Sequence, residues 1–198
     1  MSKGGQSRQD GQCELLYVRP FWLGVRKNDF AYFLLGIAMN TIVFCDGSCI
    51  NNGRPGARAG YAVVVMNDET EVHAYAESVP AVEAQTNQRA ELRALLYALQ
   101  YLRESACTGT VYTDSKYAIQ CVTTWGPAWR AAGWKKSDKK PALHVDLIEP
   151  MLELYMGGGI ALQHVMAHTG RSDAISRGNA RVDDLARREV TRGACAPH

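Results

Sequence analysis

The sequence predicts an α/β fold: a mixed five-stranded sheet, three antiparallel strands and then parallel ones, flanked by helices. Three observations carry this. Runs rich in β-branched and aromatic residues follow one another at 41–45, 61–66 and 72–79, with only turn-forming residues between them. Two more such runs, at 110–113 and 160–167, are each preceded by a stretch with helical periodicity. Strands joined by a turn pair antiparallel, whereas strands separated by a helix have the crossover that parallel pairing needs.

Taken in order, Thr41–Cys45 is a strand that runs into a turn at Asp46-Gly47. Asn51–Gly60 contains Gly53, Pro55, Gly56 and Gly60 and reads as a loop. Tyr61–Met66 and Val72–Val79 flank Asn67-Asp68-Glu69-Thr70, the pattern of a hairpin. Gln88–Glu104 is a helix, because Leu95, Ala98, Leu99 and Leu102 recur at i, i+3, i+4 and i+7. Thr86 or Asn87 can cap it. Thr110–Thr113 is a strand closing at Asp114-Ser115, and a helix is expected from Lys116 to Trp125. Val145–Met156 is amphipathic and should be interrupted at Pro150. Ile160–Ala167 is a strand ending at His168, and Arg181–Val190 is a last helix. Residues 1–12 are polar and rich in Gly, Gln and Ser, 13–39 show no clean period, and 193–198 form a tail.

The 198 residues suit one domain plus a short extension, large enough to bury a core without disulfides. The six cysteines, at 13, 45, 49, 107, 121 and 195, lack paired metal-ligand spacing. Reduced thiols are expected, and hence an intracellular setting in cytoplasm, nucleus or mitochondrion. Arg19, Arg26 and Lys27 would suit a mitochondrial presequence, but Asp10, Glu14 and Asp29 argue against one. The apolar run from Phe30 to Cys45 is shorter than the roughly 20 residues of a membrane span, so no membrane partner is expected. A formal net charge of +2 does not by itself announce a nucleic-acid binder. Charge placement says more: Arg130, Lys135, Lys136, Lys139 and Lys140 face only Asp138, and a second arginine-rich run begins at Arg171.

Asp46 and Asp114 each close a strand, where α/β sheets collect their chemistry. If the strands are neighbours, the carboxylates stand about 4.8 Å apart. Glu91 projects from the first turns of a helix crossing that edge, one turn before Leu95. Asp183 is expected at the start of the final helix. Two such charges 4 Å apart repel by about 4 kcal/mol at an effective dielectric near 20. Hard divalent cations with oxygen ligands relieve this, Mg²⁺ above all, with Mn²⁺ a possible substitute. Two ions about 3.5–4 Å apart can activate a water and stabilise the leaving oxygen of a phosphodiester. His168 would be a mobile proton carrier near the same edge. Singly, each acid has a plainer reading as a turn former or a surface helix residue. The set is what counts.

Phe44-Cys45-Asp46-Gly47-Ser48, Thr86-Asn87-Gln88-Arg89-Ala90-Glu91, Tyr112-Thr113-Asp114-Ser115 and the run from Gly178 to Ala186 together resemble type 1 ribonuclease H. The resemblance covers about residues 41–190 and is closest to the eukaryotic form, without its N-terminal hybrid-binding domain. It implies a ribonuclease H-like fold and an endoribonuclease that hydrolyses the RNA strand of RNA–DNA hybrids, leaving 5′-phosphate and 3′-hydroxyl ends. The catalytic domain would span 41–192. Asp46, Glu91, Asp114 and Asp183 would hold two Mg²⁺ ions, with Asp46 bridging both, and His168 would assist proton transfer or product release. Cys49, Asn52, Asn87 and Gln88 would line the minor groove, where a 2′-hydroxyl marks RNA. Thr86 would meet a DNA phosphate. The stretch holding Trp125, Trp129, Lys135 and Lys136 looks like the family's basic protrusion, where cations meet phosphates and flat rings pack on sugars or bases.

Departures from the family pattern are visible. Ala180 stands where an acid is usual, and Asp184 adjoins Asp183. His144 replaces an Asn of the phosphate pocket, and Ala84 a basic residue there. Two other functions fit less well: the ribonuclease H part of a reverse transcriptase or retroelement, and a non-catalytic module that binds hybrids. A superfamily exonuclease would carry its acids in other motifs. A monomer is expected. Every recognisable motif follows Met39, so residues 1–38 are expected to be a dispensable leader, or Met39 an alternative start.

Overall fold

The computed structural model describes residues 41–166 and 172–192. Five strands form one sheet: β1 (Thr41–Ile50), β2 (Arg58–Asn67), β3 (Thr70–Ser78), β4 (Gly109–Thr113) and β5 (Ile160–His164). The helices are α1 (Asn87–Glu104), α2 (Lys116–Gln120), α3 (Gly126–Ala131), α4 (Val145–Met156) and α5 (Ala174–Arg192). A π-helical turn, Cys121–Trp125, joins α2 to α3. The strand order is β3-β2-β1-β4-β5. β1–β2 and β2–β3 pair antiparallel, while β1–β4 and β4–β5 pair parallel. The expected α/β architecture is therefore present. Residues 1–40, 167–171 and 193–198, with the expected leader, His168 and the tail, lie outside the described residues.

Side-chain alternation assigns the two faces of the sheet. Val43, Cys45, Val63, Val65 and Val111 share a core with Leu92, Leu95, Leu99 and Leu102 of α1 and with Ile148, Met151 and Leu152 of α4. Phe44, Ala62 and Val64 point the other way and meet Val182 and Ala186 of α5. Both faces are covered, which is why Val63, Val64 and Val65 are all buried and the strand reads as a continuous apolar run.

Several boundaries differ from the sequence expectation, each for a local reason. β1 does not end at Cys45: it continues to Ile50 because its pairing with β2 runs on to Ile50↔Arg58. The hairpin turn shrinks to Asp68-Glu69, with Asp68 in the left-handed region at φ 51°. The helix from Lys116 does not stop at Trp125. Pro127 has no N–H to give, and the backbone widens before it so that Gly126 N–H bonds to Cys121 O, five residues back. The α4 helix passes Pro150 unbroken, since Leu147, Ile148, Met151 and Leu152 are buried on either side of it. That packing outweighs a local cost of about 3 kcal/mol. β5 ends at His164, although Val165 N–H still bonds to Thr113 O.

The largest correction concerns α5, which begins at Ala174 rather than Arg181. Asp173 starts it, its carboxylate accepting from Ser176 N–H at 2.9 Å. Gly178, which looks like a breaker in sequence, is the crossing point: a Cβ there would overlap the Phe44 ring. Asp183 consequently lies in the middle of a 19-residue helix, not at its start.

Arg89 fastens α1 to its surroundings. The guanidinium, almost wholly buried, donates to Glu83 at 2.6 Å and grips both carboxylate oxygens of Asp146 on α4. Arg93 holds the same Glu83. Hydrogen bonding from Arg89 keeps Asp146 below the usual carboxyl range. Burial would raise Glu83, but its bonds to Arg93 and Arg89 outweigh that and lower it. Both folded-state pKa values are depressed, so the network stabilises above the ordinary carboxyl range and is lost as pH falls through it. Arg89→Met is expected to cost about 2 kcal/mol at neutral pH, below the value for a fully buried pair because Asp146 is largely exposed. Urea melts at pH 7 and pH 3.5 check this: the difference between variant and wild type should shrink at the lower pH.

Candidate active site

The register of the sheet explains how two acids come together. Phe44 pairs with Tyr112 in the parallel β1–β4 ladder, and their rings stack at 5.5 Å. Asp46 and Asp114 lie two residues further along each chain, so alternation sends both toward the face that carries α5. The ladder ends at that pair, while β1 stays attached to β2. The two chains are thus no longer paired where the acids sit, at the carboxyl end of the parallel strands. Asp183 approaches from α5, and Glu91 reaches over from the first turns of α1.

Asp46 is buried and carries the electrostatic signature of the group. Burial, and then the charge of Asp114, push its carboxyl up to about 8; the Gly47 N–H, 2.8 Å from Oδ1, pulls the other way, and the charges of Asp183 and Glu91 raise it further. Of the adjacent acids on α5, Asp183 is the one whose charge contributes at Asp46. Asp183 is also bridged to Arg187 at 2.9 Å, one turn along the helix, while Asp184 pairs with Arg188. Glu91 is raised mainly by burial, against a 2.6 Å bond donated by the Ser115 hydroxyl. Asn87 Nδ2 donates to its other oxygen at 2.7 Å.

Ser115 is a contact to Glu91 that the sequence expectation did not include. Its hydroxyl oxygen also accepts from Ala118 N–H and caps α2, so one residue both starts a helix and holds Glu91. A Ser one position after a strand-end Asp was visible as a cap signal, but its second bond needs α1 to be in place. His164 was missed as well: its Nε2 lies 3.1 Å from the Asp114 carbonyl. His168 falls outside the described residues.

The four acids are oxygen donors of one sign around a buried Asp46, a donor set that suits a hard divalent cation. Among the described residues, no three acids, histidines or cysteines already stand close enough to enclose one. The fit rests on the chemistry of the donors and on the raised Asp46, which a cation would relieve.

The other expected site residues frame the same end of the sheet. Thr86 caps α1, accepting from Arg89 N–H at 3.2 Å. Asn52, in the β1–β2 loop, accepts from Asn87 N–H at 3.1 Å. The Cys49 thiol faces the Gln85 carbonyl at 3.5 Å, and Gln88 is exposed. Trp125 and Trp129 stack at 5.8 Å and pack one side against the core, leaving them half-buried. Lys135 is exposed and Lys136 partly so, on a loop closed by the Lys136 N–H to Lys140 O bond.

Sheet order, flanking helices and the acidic strand ends define an α/β protein of ribonuclease H-like fold. A "Ribonuclease H" of Schizosaccharomyces pombe is 37% identical over 148 residues, 74% of this chain and 52% of that protein. A "Ribonuclease H" of Pelobacter propionicus is 34% identical over 156 residues, 78% of this chain and 87% of that protein. The chain therefore spans about half of the yeast relative and most of the bacterial one. In fold it matches a foamy viral protease–reverse transcriptase solved with an RNA/DNA hybrid (TM-score 0.68, 21% identity, 78% of this chain and 20% of that one). The RNase H family model matches residues 38–191, and the chain belongs to the ribonuclease H family.

Proposed function

We propose that this hydrolase cuts the RNA strand of RNA–DNA hybrids internally, by two-metal-ion catalysis, leaving 5′-phosphate and 3′-hydroxyl ends. The observation that carries the mechanism is the buried Asp46 carboxyl, raised to about 8 with Asp114, Asp183 and Glu91 contributing. These four residues would hold two Mg²⁺ ions, or Mn²⁺ in their place. When bound, the ions would supply an activated water and a counter-charge for the leaving oxygen. Ser115 and Asn87 each donate to one oxygen of Glu91 and so fix the orientation of its carboxylate. His168 is proposed to carry the proton away from this edge.

Substrate reading is assigned to Cys49, Asn52, Asn87 and Gln88, which would meet ribose 2′-hydroxyls, with Thr86 at a DNA phosphate. Trp125, Trp129, Lys135 and Lys136 would hold the duplex through phosphates and sugars. The hybrid bound by the foamy viral chain supports this choice of substrate. Identity to ribonucleases H exceeds that to the viral chain and favours this reading over a reverse-transcriptase module. The catalytic domain is assigned to 41–192. The free Cys45, Cys49, Cys107 and Cys121 suit a reducing intracellular compartment.

The test offers RNA–DNA hybrid, duplex DNA, duplex RNA and single-stranded RNA, with Mg²⁺ and with chelator. Only the RNA of the hybrid should be cut, and only with the metal. Equal cutting of single-stranded RNA would refute the proposal.

A further inference from the structure

Gln85, which lies in neither an acid motif nor the substrate-reading set, is bonded to more of its surroundings than any reading residue beside it. Its Oε1 accepts from Ala59 N–H at 2.9 Å, at the start of β2 where the β1–β2 loop ends. Its Nε2 donates toward the carbonyls of Val79 at 3.2 Å, Pro80 at 2.9 Å and Glu83 at 3.3 Å, all in the β3–α1 loop. Its own carbonyl faces the Cys49 thiol. One side chain therefore ties the start of β2, where Ala59 pairs with Cys49, to the β3–α1 loop that leads into Asn87 and Gln88, and so links two of the segments proposed to meet the hybrid. Cys49 and Asn52 lie on one side, and Thr86, Asn87 and Gln88 on the other.

The β3–α1 loop is fixed separately at its other flank, where Glu83 is held by Arg89 and Arg93. That anchor fixes the loop to α1. Across to β1, β2 and the loop between them, the described bonds besides those of the Gln85 side chain are Val79 N–H to Ala59 O at 2.8 Å, the Cys49 thiol to the Gln85 carbonyl, and Asn87 N–H to Asn52 Oδ1. The spacing between Cys49/Asn52 and Asn87/Gln88 thus depends in part on a side chain that bonds to none of these four, while the carbonyl of the same residue meets the Cys49 thiol. Such spacing decides whether several donors and acceptors can meet successive 2′-hydroxyls at once, whereas a phosphate contact tolerates displacement.

We propose that Gln85 is a positioning residue that sets the distance between the Cys49/Asn52 segment and the Asn87/Gln88 segment, and so determines discrimination between hybrid and duplex DNA without touching either. The inference rests on the hybrid-cleaving reading above. The test compares the full-length wild type with Gln85→Met, which keeps the shape and loses every bond. Gln85→Glu, which keeps the acceptor for Ala59 N–H but sets a charged oxygen against the three carbonyls, is the harsher variant. Each is assayed for KM on hybrid and for inhibition of that cleavage by duplex DNA. Gln85→Met should raise KM about tenfold, the equivalent of one well-made hydrogen bond, with kcat falling less. The inhibition constant of duplex DNA should stay unchanged, and Gln85→Glu should raise KM at least as far. If KM and the DNA inhibition constant move together, or neither moves, the proposal is overturned. Hydrogen exchange at the Ala59 and Asn87 amides reads the clasp directly and should quicken in Gln85→Met; unchanged exchange also overturns it. A wild type that cuts no hybrid would count against the proposed function instead, with the exchange still reporting on the clasp.

Discussion

Asp46→Asn is expected to abolish hybrid cleavage and, at the same time, to stabilise the metal-free protein. Both effects have one cause. The folded-state pKa of Asp46 is raised to about 8 by burial and then by Asp114, with Asp183 and Glu91 adding to it. Below the ordinary carboxyl range, folded and unfolded chains both carry the proton, and the site costs nothing. Between that range and about pH 8 only the folded chain keeps the proton, so stability falls as pH rises, by about 1.4 kcal/mol for each pH unit. Asn carries no charge, removes that slope and still offers an oxygen to the Gly47 N–H. Thermal melts in chelator from pH 5 to pH 8 should diverge, with the variant increasingly the more stable. Added Mg²⁺ should narrow the gap by stabilising the wild type alone. Parallel melting curves across that range would remove the electrostatic argument for the site.

Gly47→Ala should be nearly as damaging, through packing. A Cβ at position 47 would overlap the backbone of α1 at Ala90 and Glu91. The contact is between a strand and a helix backbone, so no flexible side chain can move aside. Overpacking of this kind costs about 1–3 kcal/mol or more. The displacement falls between Asp46, the preceding residue, and Glu91, the residue struck. Activity should therefore drop further than the loss of stability explains. Gly53→Ala is the contrast: its backbone has φ +73° but nothing stands near its Cβ, so it should cost stability modestly and leave Asp46 and Glu91 undisturbed. Cleavage rates measured well below each melting temperature separate the two. Wild-type rates in Gly47→Ala would show that the close crossing does not hold the site.

Much of this was legible along the chain. The spacing of Leu95, Leu99 and Leu102 predicted α1, the two candidate caps Thr86 and Asn87 bracketed its start, and the turn between 61–66 and 72–79 predicted the hairpin. These are local signals, written in periodicity and turn chemistry within a few residues. Where the reading stopped short, a distant partner had intervened. β1 runs past Asp46 because β2 continues to pair with it. α5 begins before Gly178 because the glycine lets the helix press on Phe44. Pro127 and Pro150 sit within helical segments buried against other helices: Gly126 lies against Ile148 and Leu152 of α4, and α4 packs on α1.

The same division holds for the site. The sequence alone singled out four acids as candidates, because each sits in a short motif at a strand end or helix turn, and alternation along a strand is a local property. It also determined the family. The tertiary structure decided what those acids experience: that Asp46 is buried among like charges, that Asp183 rather than Asp184 contributes there, and that Ser115 and Asn87 hold Glu91. It alone revealed the bonds of Gln85 to the start of β2 and to the β3–α1 loop. Burial, field and hydrogen bonding between segments dozens of residues apart exist only once the chain has closed on itself. No pattern within a few residues records them.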